Sequence, residues 1–225
     1  MNASFPGESQ SGRRIPLAVK LAYSAFVAVL VPVYLASYGP TNFLYFCDVA
    51  LLLTLAGIWL ESPLLVSMCC VGILLPQLFW LVDFLCRLVG LKLTGLTDYM
   101  FRPTLTLFAR SLSLFHGWLP LLLLWLLRRL GYDRRAFAAW GILATALVAI
   151  SYFLLPAPGA AVADPNIPVN VDYVYGFSET EPQHWMNPRL YVAAYLAALW
   201  GVVFLPTHAI LRRVASPAGA RTPTP

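Results

Sequence analysis

Charge is what this chain has least of. Only 11% of its 225 residues are Asp, Glu, Lys or Arg, against 60% hydrophobic, and the mean hydropathy is +0.72. Soluble domains carry about 25% charge, and so apolar a chain has too little polar surface to cover a globule in water. The solvent for most of it is lipid. The short signatures of metal and nucleophile chemistry are also missing. There is no C-x-x-C, no H-E-x-x-H and no G-x-S-x-G. The four cysteines, Cys47, Cys69, Cys70 and Cys86, all lie in apolar runs. They read as small buried side chains, so neither a metal nor a cofactor is expected. The net charge of +5 is not spread as a basic stripe with interleaved aromatics. The expected partners are therefore membrane lipids and not nucleic acid. No internal repeat is evident, which argues against transporters built from duplicated halves.

What is present is a series of long apolar runs. Crossing the hydrocarbon takes about 20 mostly apolar residues. Six segments qualify, at 16–37, 43–60, 63–89, 104–127, 136–155 and 190–211. The expected fold is all-α, a polytopic membrane protein with a six-transmembrane-helix bundle over 16–213. It is flanked by an N-terminal segment (1–15) and a disordered tail (214–225). The breaks are Gly- and Pro-bearing turns at 37–42 and 61–63, a connector at 90–104, a charged hairpin at 128–135 and one long loop at 156–189. A twin arginine ahead of an apolar stretch also marks cleaved signals. This run exceeds the usual core of about 7–15 residues and holds Lys20, so an uncleaved first helix is expected.

Lys and Arg orient the bundle. Arg13, Arg14 and Lys20, then Arg128, Arg129, Arg134 and Arg135, then Arg212 and Arg213 fall on one side of six spans, which makes both termini cytoplasmic. The long loop falls outside, where Asp164, Asp172, Glu179 and Glu181 outnumber Arg189. Arg87, Lys92 and Arg102 run against this pattern.

Polar groups inside the spans need a reason, because an ionisable side chain at the helix centre costs at least about 2.5–3.5 kcal/mol. Asp48, Asp83, Arg110 and His116, the last near the midplane, can share the outer half, with Gln77 and Ser113 on the same third and fourth spans, whereas His208 lies near the opposite end. Helical phase gathers them into three stripes: Thr41–Tyr45–Asp48–Leu52, Pro76–Trp80–Asp83–Arg87 and Thr106–Arg110–Ser113–His116. Such stripes turn inward, so a polar centre between the second, third and fourth spans is expected. Within it Asp48 and Arg110 are placed to neutralise each other. Asp83 and Arg87 are spaced for an i, i+4 ion pair. His116 can bond to Ser113 or to a backbone carbonyl. Tyr173, Tyr175, Phe177 and Trp185 suit the headgroup level. With Asn170, Asp172 and His184 they make the long loop a candidate cap.

The chemistry this pattern permits is acid–base work on a lipid. His116 is the candidate base, Asp48 its orienting acid, and Thr41 or Ser113 the hydroxyl. Asn42, Asp83, Arg110 and Ser113 are candidate substrate contacts. The readings are a lipid hydrolase or acyl transferase, a small-solute or proton transporter, and a non-catalytic scaffold. A continuous polar path from His116 to His208 would mark transport. A buried Asp48–Arg110 pair would mark a scaffold.

The stretches "NFLYFCDVALLLTLAGIWLESPLLVSM", "GLTDYMF", "SLFHGWLPLLLLWLLRRLGYD", "NVDYVYGF" with "PQHWMNPRLY", and "FLPTHAILRR" resemble a family of uncharacterised bacterial integral membrane proteins. That resemblance implies a bacterial inner membrane and no particular activity. In architecture the chain is also similar to the androgen-induced-protein family of six-span lipid hydrolases. This similarity implies a threonine on an early helix and a histidine on a later one, here Thr41 (or Asn42) and His116.

Overall fold

The computed structural model describes residues 15–161, 166–178 and 180–215. The segments expected at the two termini, and Asp164 and Glu179 of the loop, lie wholly or mostly outside the described residues. Among the described residues the elements are helical and there is no β-strand. They are α1 (Leu17–Tyr38), α2 (Phe46–Trp59), α3 (Pro63–Leu88), α4 (Leu107–Leu112), α5 (Phe115–Leu130), α6 (Ala136–Leu154), α7 (Pro188–Ala198) and α8 (Leu205–Val214). A π-helical turn, Leu199–Phe204, joins α7 to α8.

Five helical stretches are long and apolar enough to cross a membrane: Leu17–Tyr38, Pro63–Leu88, Leu107–Leu130, Ala136–Leu154 and Pro188–Val214. Their outward faces stay apolar. Leu121, Ile142 and Phe153 are each exposed by two thirds or more, which suits a hydrocarbon solvent. The second expected span is shorter than its hydropathy suggests. A 3-10 turn, Pro40–Leu44, takes up its start, and α2 is left with 14 residues. At 1.5 Å per residue that is about 21 Å.

The fourth expected span is interrupted. α4 ends at Leu112 and α5 begins at Phe115, with i→i+3 bonds from Ser113 N to Arg110 O and from Leu114 N to Ser111 O. Pro120 has no N–H to offer the His116 carbonyl one turn back, so the first turn of α5 starts short of a hydrogen bond. Pro206 follows the π turn in the last helix in the same way.

Close approach of the helices depends on glycine. Trp140 of α6 lies flat in the space over Gly72 of α3, and Trp200 over Gly141 of α6, where a Cβ would overlap each ring. Trp200 Nε1 donates to Thr145 Oγ1 at 3.2 Å.

Two ends emerge. At one, Lys20 Nζ meets Glu61 Oε1 at 2.8 Å, Asp133 N donates to Ser67 Oγ at 3.0 Å, and the Tyr132 hydroxyl meets His208 Nδ1 at 2.6 Å. This end also carries the arginines of the 128–135 hairpin and of α8. At the other, Thr104 Oγ1 donates to Asn166 Oδ1 at 3.0 Å, and Phe46 N donates to Asp172 Oδ1 at 3.2 Å.

The connector at 90–104 is a folded cap rather than a bare link. Asp83 holds it with both oxygens: Oδ1 accepts from Thr94 N (2.8 Å) and Thr94 Oγ1 (2.7 Å), and Oδ2 from Thr97 N (2.9 Å) and Thr97 Oγ1 (2.7 Å). The expected Asp83–Arg87 pair is therefore corrected. Arg87 turns to Asp98 (3.2 Å), which Lys92 also reaches (2.7 Å). Four donors from a returning loop satisfy a buried carboxylate better than one half-exposed guanidinium.

Candidate functional site

Tyr34 on α1, Asp48 on α2, Gln77 on α3, His116 on α5 and Ser151 on α6 are all buried. In that order they lie 17, 11, 14, 14 and 15 residues from the basic end of their helices, or about 17–26 Å along the axis. Polar groups from five helices thus share one layer. The loop adds Asp172, 3% exposed. Its neighbourhood is conformationally costly: Asn170, Asp172 and Tyr173 all have φ between 55° and 58°, a left-handed region that L-residues enter at about 1–2 kcal/mol each. Asn170 locks the bend by donating from Nδ2 to Gly176 O (2.7 Å) and Ser178 O (3.0 Å) and by accepting from Tyr175 N (2.9 Å). Tyr175 donates its hydroxyl to Tyr152 O at 2.7 Å. The bend drives Asp172 down onto the start of α2.

Within the layer the expected pairings are redistributed. Asp48 does not pair with Arg110. Its Oδ2 accepts from Asn42 Nδ2 at 3.0 Å, while Arg110 Nη1 donates to Met100 O at 3.0 Å. A neighbouring amide six residues back reaches Asp48 more directly than a long side chain from the interface. His116 Nδ1 faces the Ser113 carbonyl at 2.7 Å, so Nδ1 carries the proton and Nε2 the lone pair. Its ring stacks on Trp80 (4.6 Å) and Phe115 (4.1 Å). The Ser113 hydroxyl meets the Tyr34 hydroxyl at 2.6 Å. No bond links Asp48 to His116, or His116 to Thr41 or the Ser113 hydroxyl, so the relay expected from the sequence is not preassembled. Asp83 belongs to the connector, and His184 is exposed on the loop.

Many polar atoms here are buried and unpaired. They include Tyr38 Oη, Thr41 Oγ1, Asp48 Oδ1, Arg110 Nε, Ser151 Oγ and Asp172 Oδ2. Both amide atoms of Gln77 and Nε1 of Trp80 are unpaired as well. Each such group costs about 1–3 kcal/mol, and a folded domain has only about 5–15 kcal/mol of net stability. None of them meets a hydrogen-bond partner of good geometry among the described residues.

Asp48 and Asp172 lie close enough for their charges to interact. Burial pushes the Asp172 carboxyl well above the usual carboxylate range. The Phe46 N–H opposes this, the Asp48 charge adds to it, and the nearby Ser151 hydroxyl opposes it. Sequence reasoning placed Asp172 in a cap and passed over Ser151 and Tyr38. A lone serine three residues from the end of an apolar helix carries no signal until a loop carboxylate is seen beside it.

Between the polar layer and the His208–Tyr132 pair, α5 contributes Leu119, Leu123 and Leu126, all fully buried. That barrier leaves His208 apart from the layer. Among the described residues no three His, Cys, Asp or Glu side chains gather to hold a metal. Compared with protein-family models, with curated proteins and with solved structures, the chain matches none.

Proposed function

We propose that this chain is a six-crossing inner-membrane protein, both termini cytoplasmic, whose polar layer binds the polar part of a membrane lipid and performs acid–base chemistry on it, either hydrolysis or acyl transfer. Support for a sixth crossing comes from α2. Glu61, just past its end, meets Lys20 at the start of α1, and Tyr23 donates to the Leu51 carbonyl at 2.9 Å. α2 thus runs back along α1, with the Pro40–Leu44 turn completing the thickness. The arginine-rich end is the cytoplasmic one by the positive-inside rule.

One observation carries the functional reading. Buried donors and acceptors without partners come from α1, α2, α4, α6 and the outer loop, and two of them are oxygens of a carboxylate pair. A purely structural centre would pair its groups internally, as Asp83 does. His116 Nε2 is the base in this reading, and Asp48, Asp172, Thr41 and Arg110 contact the substrate. Transport is disfavoured by the Leu119–Leu123–Leu126 barrier.

The test is the lipid profile of cells lacking the protein, complemented with wild type or His116→Ala. A lipid species that changes on loss, returns with wild type and not with a folded His116→Ala supports the reading. An unchanged profile refutes it.

A further inference from the structure

The two carboxylates are built alike. Asp48 gives Oδ2 to the Asn42 amide and leaves Oδ1 bare; Asp172 gives Oδ1 to the Phe46 N–H and leaves Oδ2 bare. Both are 3% exposed, and they stand within reach of each other's charge. Two buried hydroxyls can join them: Thr41, next in sequence to Asn42, and Ser151, on a side chain 1% exposed, which neighbours Asp172 as a donor and keeps its lone pairs free to accept. Arg110, the expected countercharge, gives Nη1 to the Met100 carbonyl and makes no ion pair with Asp48, and its Nε has no partner. The carboxyl pair thus keeps one bare oxygen on each acid and has no paired cation beside it.

We infer that Asp48 and Asp172 together bind a primary ammonium group, with Thr41 and Ser151 as accessory acceptors. An ammonium supplies what the pair lacks. It brings three N–H donors for oxygens that have none, and a positive charge where the hydrocarbon tolerates no net negative one. Charge-assisted hydrogen bonds to two carboxylates are among the strongest available to a buried site. A quaternary ammonium brings the charge without the donors and cannot satisfy the bare oxygens. A divalent cation asks for six or more oxygens, commonly with several carboxylates, and only two acids are present. The inference deepens the lipid reading by naming the headgroup class, an amine-bearing lipid such as phosphatidylethanolamine. The same site would take a free primary amine entering from the loop side.

The test uses the full chain in nanodiscs of phosphatidylglycerol doped equally with phosphatidylethanolamine and phosphatidylcholine, with retained lipid counted by native mass spectrometry. Ethanolamine, choline and Mg2+ are then added separately as soluble competitors. Wild type is expected to retain the ethanolamine lipid about tenfold or more over the choline lipid, the ratio set by hydrogen bonds to charged groups. Asp172→Asn and Ser151→Ala are expected each to shrink that ratio, and Asp48→Asn/Asp172→Asn to abolish it. Soluble ethanolamine displacing the lipid is expected where choline does not. Ethanolamine bound as a mass adduct, choline not, with no lipid retained would identify the free amine as the source, upholding the ammonium site and ending the lipid reading. Equal retention of ethanolamine and choline lipids overturns the inference while leaving lipid binding intact. Retention of no lipid together with no effect of ethanolamine overturns both. Unchanged preference in the folded Asp172→Asn variant, or displacement by Mg2+ alone, overturns the ammonium assignment.

Discussion

Replacing Asp83 with Asn separates a structural acid from a functional one. The carboxylate accepts four hydrogen bonds at 2.7–2.9 Å, two at each oxygen, from the amides and hydroxyls of Thr94 and Thr97. An asparagine keeps one oxygen and turns the other into an NH2 that faces a backbone N–H. The threonine hydroxyl on that side can rotate to accept, but the amide cannot. One backbone donor is then left bare, and the bonds at the surviving oxygen lose their charge. With hydrogen bonds to charged groups worth about 1.5–3 kcal/mol each, the expected loss is about 3 kcal/mol. The connector, with its 3-10 turn Asp98–Phe101, is released from α3. The assay is thermal unfolding of the purified variant in nanodiscs, followed by tryptophan fluorescence, with lipid retention measured on the same sample. A midpoint lowered by several degrees with lipid retention per folded molecule unchanged is the expected pair of results. An unchanged midpoint with lost retention would refute the reasoning and return Asp83 to a substrate contact.

Asp48→Asn should behave in the opposite sense, because it removes a half-satisfied buried charge while an amide oxygen still accepts from Asn42. The expected result is an unfolding midpoint equal to or above wild type and a reduced preference for the ethanolamine lipid, measured on the same sample. Asp172 gives a pH dependence. Its folded-state proton affinity is raised, so the folded chain binds the proton more tightly than the unfolded one. Stability at this site is then greatest below the ordinary carboxylate value of about 4 and declines as pH rises toward the raised value. Asp172→Asn should flatten that slope in pH-dependent unfolding, and a slope unaltered in the variant would count against the burial argument. Gly72→Ala places a methyl into the Trp140 ring. A loss of about 1–3 kcal/mol, the usual cost of overpacking, is expected in the unfolding midpoint, with recovery when Trp140 is reduced to Phe. His116→Ala sacrifices one bond to a carbonyl and two ring stacks. It should still yield folded protein in membranes by size-exclusion profile, and failure to do so would make the histidine structural.

The polar stripes were legible because a 3.6-residue period brings Asp48, Asp83 and His116 onto definite faces, and lipid makes any inward polar group conspicuous. Their partners were not legible. Asp83 and Arg87 are ideally spaced on one helix, yet a loop folding back from residues 94–97 offers the carboxylate four donors and wins it. Asp48 and Arg110 stand on different helices, and each found another partner, Asn42 for one and the Met100 carbonyl for the other. The break at Ser113 and Leu114 was hidden inside a run whose hydropathy is continuous across it. Hydropathy counts side chains, whereas the break is a matter of backbone hydrogen bonds.

Composition and period alone determined that the chain is helical, that it holds runs long and apolar enough to cross a membrane, where those runs lie and which polar residues share a helix face. These follow from one-dimensional facts, since transfer free energy adds residue by residue and helical phase repeats along the chain. Tertiary structure alone decided that Asp172, from a loop over a hundred residues away, would come down beside Asp48 and Ser151. Which carboxylate is satisfied and which is left bare depends on the distances between segments remote in sequence, and no local rule encodes those distances.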